Sequence, residues 1–70
     1  MPVEQYTGAS GGASYTISYG EGWYIIERGG KVLKHVSTAA EMGLADNEAS
    51  LALTRNTAVA DIDNQRGVES

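Results

Sequence analysis

Cysteine and phenylalanine are absent from this chain of 70 residues, and proline, histidine and tryptophan occur once each. Without cysteine there is no disulfide and no thiolate zinc site to staple a small fold. A lone histidine, His35, cannot build an imidazole-based structural metal site. Nucleophile–base catalysis would have to recruit a serine and an orienting carboxylate to that one ring, and no motif brings them there. Nothing approaches the ~18 consecutive apolar residues of a membrane span. The N-terminus MPVEQYTGASGG has neither a basic start nor an apolar run, so no secretory leader is expected and a cytoplasmic location is the default.

Basic residues are also scarce: 5 Lys and Arg stand against 9 Asp and Glu, for a formal charge of −4. That balance disfavours indiscriminate binding to nucleic acid or to anionic membrane. The length allows one small domain, and a core of that size rarely supplies more than ~3–5 kcal/mol. With disulfides and metals excluded, self-association is the remaining source of stability, and a homodimer is expected.

What the chain does have is concentrated in residues 13–36, ASYTISYGEGWYIIERGGKVLKHV. Tyr15, Ile17 and Tyr19 alternate with Ser14, Thr16 and Ser18, the period of a half-buried strand. Gly20-Glu21-Gly22 fits a three-residue hairpin loop, and Gly29-Gly30 a two-residue turn whose two positions both need positive φ. The intervening strands are Trp23–Arg28 and Lys31–Val36. These loop lengths predict that Trp23 and Ile25 join Tyr15, Ile17, Tyr19, Val32 and Val36 on the core face. Tyr24, Ile26, Arg28, Lys31, Leu33 and His35 then look outward, with Tyr24, Ile26 and Leu33 as an apolar centre inside a basic rim. Glu27 is expected at the core-face rim, in a salt bridge with Lys34 or Arg55.

Beyond the sheet, Thr38-Ala39-Ala40-Glu41 has the spacing of a capping box. Asp46 is expected to cap a helix over residues 47–62, with Leu44, Leu51, Ala58, Val59 and Ile62 as the stripe that covers the core. Ala49, Leu53 and Ala60 fall off that stripe and form a small-residue face suited to a dimer interface. The predicted fold class is α+β: a three-stranded antiparallel meander packed on a C-terminal helix. Residues 1–12 read as a flexible glycine-rich arm, 13–63 as the domain and 64–70 as a disordered tail. Docking of Val3 and Tyr6 on the sheet is the alternative for the arm.

No catalytic, metal or cofactor site is expected. Asp61-Ile62-Asp63-Asn64 opens like a calcium loop, but its glycine comes one position late and the twelfth-position glutamate is missing. The glycine clusters lack the Lys-Ser/Thr of a phosphate loop. In element order alone, three strands and one helix is similar to the arm-binding domains of tyrosine-type integrases and to the plant ethylene-response DNA-binding domain. That resemblance implies a nucleic-acid-binding sheet using Arg28, Lys31, Lys34 and Tyr24, although those families carry denser basic residues there. The preferred reading is a non-enzymatic protein–protein interaction module that contacts an unidentified partner through Tyr24, Ile26, Leu33, His35, Arg28 and Lys31, since exposed apolar patches on small proteins mark contact surfaces. Small acidic chains of this kind suit a bacterial or phage accessory protein that inhibits a host complex by surface occlusion.

Overall fold

A computed structural model describes residues 2–8, 12, 14–45 and 47–68. Four strands form one antiparallel meander: β1 Val3–Thr7, β2 Ser14–Gly20, β3 Trp23–Arg28 and β4 Lys31–Val36, in spatial order β1-β2-β3-β4. A 3₁₀ turn, Ala39–Met42, and one helix, α1 Leu51–Asp63, follow. The α+β class holds, with four strands where three were expected. The resemblance in element order to three-stranded DNA-binding domains therefore does not carry over.

The added strand is β1, within the segment read as a flexible arm. Pairing of Val3 with Ser18 through Thr7 with Ser14 makes it an edge strand. Two side chains on its inner side reach the helix: the Tyr6 hydroxyl donates to both carboxylate oxygens of Asp63 at 2.9 Å, and Glu4 pairs with Arg55. These partners lie more than fifty positions away, so composition within the segment does not reveal them. The glycine-rich stretch at residues 9–11 lies outside the described residues.

The second correction concerns the faces. Gly20 pairs with Trp23, so the β2–β3 loop is the two-residue Glu21-Gly22, not the three-residue loop expected. Gly22 supplies the left-handed conformation at φ 87°. A one-residue slip moves every side chain of the next strand to the opposite face. Ile17 therefore faces Ile26, and Tyr19 faces Tyr24. Tyr24 and Ile26 are buried beneath α1, and Trp23 and Ile25 point away from it.

The β3–β4 turn is as expected, with Gly29 at φ 60° and Gly30 at φ 82° and Arg28 opposite Lys31. A β-bulge then intervenes: Glu27 pairs with Val32 but Ile26 with Lys34, leaving Leu33 as the extra residue. The bulge restores Val36 to the core opposite Tyr24 and turns Lys34 toward the helix. Leu33 packs, half-buried, against the margin of the core. Val32, expected inside, is outside.

Helix α1 starts later than expected. Its N-cap is Ser50, whose hydroxyl accepts the Leu53 N–H at 3.2 Å. The predicted cap, Asp46, lies outside the described residues. The capping box at Thr38 forms in altered shape: Thr38 Oγ1 accepts from Glu41 N, and Glu41 reaches back to the N–H of Ser37 rather than that of Thr38. Gly43 closes the turn in the left-handed region.

The core comprises Tyr15, Ile17, Tyr24, Ile26, Val36, Ala58, Ile62 and Val68. Of the predicted helical stripe, Ala58 and Ile62 are fully buried and Val59 packs beside them, whereas Leu51 is exposed. Val68 comes from the segment read as a disordered tail. After α1 the chain turns back, with Arg66 N–H bonded to Asp61 O at 2.8 Å, and sets Val68 into the core. Residues 69–70 lie outside the described residues.

Candidate interaction surface

Alternation along the strands places one set of side chains on the sheet face opposite α1. The register aligns Val3, Ser18, Ile25 and His35 in one cross-strand row and Gln5, Thr16, Glu27 and Val32 in the next. Trp23 lies beside Ile25 along β3 and opposite Gly20. A Cβ built on Gly20 would stand 2.2 Å from the indole nitrogen, so the ring lies flat across the glycine. That bare backbone gives a large aromatic ring a seat which any side chain at position 20 would occupy. Val3 and Val32 are 56% and 53% exposed, and Trp23 and Ile25 are half-buried. Among the described residues no helix or strand lies over this face.

The opposite face is closed by polar chemistry as well as by packing. Asp61, 5% exposed, accepts the Tyr24 hydroxyl and the Lys34 ammonium, the latter at 2.8 Å, both on Oδ2. Lys34 also donates to Arg66 O at 3.2 Å. Burial, and then the Asp61 carboxylate, push the Tyr24 phenol well above its ordinary value of 10.0. At the other end of the helix, Thr54 is fully buried and its hydroxyl accepts the Gly22 N–H at 3.1 Å. No buried side-chain nitrogen or oxygen among the described residues lacks a partner. Toward β1, hydrogen bonding to Arg55 holds the Glu4 carboxyl below its ordinary range, and Asp63 raises the Tyr6 phenol.

The residues singled out as an outer contact patch are thus divided. Tyr24 and Ile26 are core residues and cannot meet a partner without unfolding. Arg28 is on the helix side, its guanidinium 5.9 Å from the centre of the Tyr15 ring, and Lys31 stands opposite it. Leu33 is the bulge residue. Only His35 keeps its place on the outer face, opposite Ile25 rather than Tyr24. Glu27 is also outside and has neither expected partner: Lys34 pairs with Asp61, and Arg55 with Glu4. The predicted dimer face is divided too. Ala49 precedes α1 and is buried against Gly22, Ala60 is half-buried, and Leu53 alone is well exposed, at 43%.

The contact-capable residues that the sequence reading placed elsewhere are Trp23, Ile25, Val32 and Val3. For Trp23, Ile25 and Val32 the strand alternation carries the signal and the loop count sets it on the wrong side, whereas Val3 belongs to the segment expected to be a flexible arm. A shallow open cleft of about 280 Å³ lies at one end of the molecule, lined by Glu21, Gly22, Ser37, Thr38, Ala39 and Ala49. Its hydroxyls belong to the Thr38 cap and to Ser37, which bonds Glu41, so they are engaged in holding the turn. The acids at the end of α1 are likewise engaged, Asp61 by Tyr24 and Lys34 and Asp63 by Tyr6.

No helix among the described residues is long and apolar enough to cross a membrane. Comparison of the chain with protein-family models, with curated proteins and with solved structures finds no match.

Proposed function

We propose that the chain is a non-enzymatic protein–protein interaction module whose working surface is the outer sheet face around Trp23, Ile25, Val32 and His35. The supporting observation is the group of exposed and half-buried apolar side chains, Val3, Trp23, Ile25 and Val32, that this face presents on the side away from α1. Its occupant is a protein surface with an apolar centre, because the face offers indole and aliphatic area with one carboxylate, Glu27, and one imidazole, His35, at its margin. Aromatic anchors surrounded by a polar rim are how such interfaces obtain most of their binding energy. Occlusion of a partner's own site is the mode of action proposed for this face.

The same placement argues against a nucleic-acid reading. Arg28 and Lys31 sit on the helix side and Lys34 is held by Asp61, so the basic residues do not line one groove-facing surface.

Ile25→Asp tests the proposal. The wild-type chain, immobilised, is expected to retain a specific protein from lysate of the cells that encode it. Ile25→Asp is expected to lose that protein with its circular dichroism unchanged, and Leu53→Asp, on the helix, to keep it. Equal retention by Ile25→Asp and wild type would place the working surface elsewhere.

A further inference from the structure

The sheet has two edges, and only one is blunted. On β4 the bulge at Leu33 and the cations Lys31 and Lys34 interrupt any regular ladder, the usual protection against strand addition. β1 has no bulge, no lysine and no glycine between Val3 and Thr7. Its one charge, Glu4, is already paired with Arg55 on the helix side. Among the described residues β1 has a neighbour on one side only.

The phase of the β1–β2 ladder identifies which backbone groups are free. Pro2 O accepts the Tyr19 N–H at 3.1 Å, so Pro2–Tyr19 is a hydrogen-bonded pair. Antiparallel pairs alternate, which makes Glu4–Ile17 and Tyr6–Tyr15 bonded pairs as well. Val3, Gln5 and Thr7 therefore direct their N–H and C=O groups outward, and all three residues are exposed.

We propose that two copies of the chain join through β1, antiparallel about a two-fold axis at Gln5, to make one continuous sheet. This seam is separate from the outer-face reading and does not depend on it. The register follows from the geometry. Pairing Gln5 with Gln5 of the second copy, and Val3 with Thr7 in both directions, satisfies every outward N–H and C=O of the strand. A shift by one residue would set outward groups against inward ones. The same register places Glu4 opposite Tyr6 and so keeps the two Glu4 carboxylates apart. On the outer side it sets valine against threonine and amide against amide, pairs that β-sheets accommodate well.

The test uses the full chain. Sedimentation equilibrium at high micromolar concentration is expected to give twice the 7.4 kDa monomer mass. Gln5→Pro removes an outward N–H at an edge position, where proline is tolerated, and is expected to give a folded monomer. Because the chain has no cysteine, Gln5→Cys introduces a single thiol. At the axis two such residues would stand about 5.5 Å apart between Cα atoms, within the ~4.4–6.8 Å that a disulfide spans. Gln5→Cys is expected to cross-link on mild oxidation, and Thr7→Cys, roughly 14 Å from its mate, is not. A monomeric wild type, equal cross-linking of the two variants, or a dimer that survives Gln5→Pro but dissociates with Ile25→Asp would overturn the proposal. Equal partner capture by Ile25→Asp and wild type, with the β1 dimer intact, would count against the outer-face reading alone.

Discussion

Tyr24 of β3 donates its hydroxyl to the same Asp61 oxygen that receives the Lys34 ammonium of β4, so two neighbouring strands are tied to one helical carboxylate. The arrangement spans the core from sheet to helix and fixes how far α1 can slide along the strands. It exists only because the bulge at Leu33 brings Lys34 around to the helix side. A buried carboxylate with two donors is stable while both remain, and costly when one is removed.

Lys34→Met leaves Asp61 buried beside the Tyr24 hydroxyl without its cation. Breaking a fully buried pair costs ~3–5 kcal/mol. The Lys34 side chain is 27% exposed, so solvent screens part of the loss. The expected destabilisation in urea unfolding is roughly 2 kcal/mol. Replacing all three partners, with Lys34→Met, Asp61→Leu and Tyr24→Phe together, should recover much of that loss, because neither an uncompensated charge nor an unpaired hydroxyl then remains. A triple variant as unstable as the sum of the three single ones would show that Asp61 acts through partners other than Lys34 and Tyr24.

Stability should also decline at alkaline pH through Tyr24. Its phenol has a pKa above the ordinary 10.0 in the folded chain, chiefly because burial disfavours phenolate and then because Asp61 stands beside it. In the unfolded chain the phenol loses its proton near the ordinary value. The folded state binds more protons above that point, so the stabilisation is fully present below about pH 10 and is lost as pH rises beyond it. Tyr24→Phe should lower stability at neutral pH by about 1–2 kcal/mol, the worth of a buried hydroxyl bonded to a carboxylate. The variant should also show a shallower decline of unfolding free energy between pH 10 and 12 than the wild type. An unchanged slope would mean that other groups dominate the alkaline transition.

The sheet itself was legible in the sequence, and its orientation was not. Alternation in residues 14–19, the glycine pair at 29 and 30, and the run after Thr38 all correspond to elements that form. The faces depended on whether Gly20 belongs to the loop or to the strand. Glycine at a strand end and glycine in a turn read alike, and what separates them is the indole of Trp23 lying across Gly20. The bulge at Leu33 is invisible locally because its compensation, Lys34 bonding Asp61, comes from 27 positions further on. The β1 strand and the return of Val68 to the core are tertiary effects of the same kind, since Glu4, Tyr6 and Val68 are held by contacts from other elements.

Trp23 is the sole tryptophan, so its fluorescence reports the outer face without interference from other indoles. Gly20→Ala places a methyl group where the indole now rests and should swing the ring into water. The expected result is a red-shifted emission and stronger quenching by acrylamide, with a stability loss below about 1.5 kcal/mol because the displaced ring is at the surface. Trp23→Ala should likewise cost far less than the ~3–5 kcal/mol typical of a buried aromatic. A loss in that larger range would return the indole to the core.

Thr54, like Asp61, is a buried residue of α1 that binary patterning does not predict, a polar side chain at a fully covered helical position. Its hydroxyl satisfies the N–H of Gly22, which is in the tight β2–β3 turn and is itself buried. The helix thereby holds the very turn that sets the register of the sheet. Thr54→Val keeps the volume and removes the acceptor, leaving that N–H unpaired in a dry site, at an expected cost of about 1–3 kcal/mol. Thr54→Ser keeps the acceptor and loses one methyl group, and should cost about 1 kcal/mol. Amide hydrogen exchange separates the two effects: the Gly22 proton should exchange much faster in Thr54→Val and remain protected in Thr54→Ser. Equal protection in both variants would show that water or the backbone replaces the hydroxyl, and that the turn holds its shape without the helix.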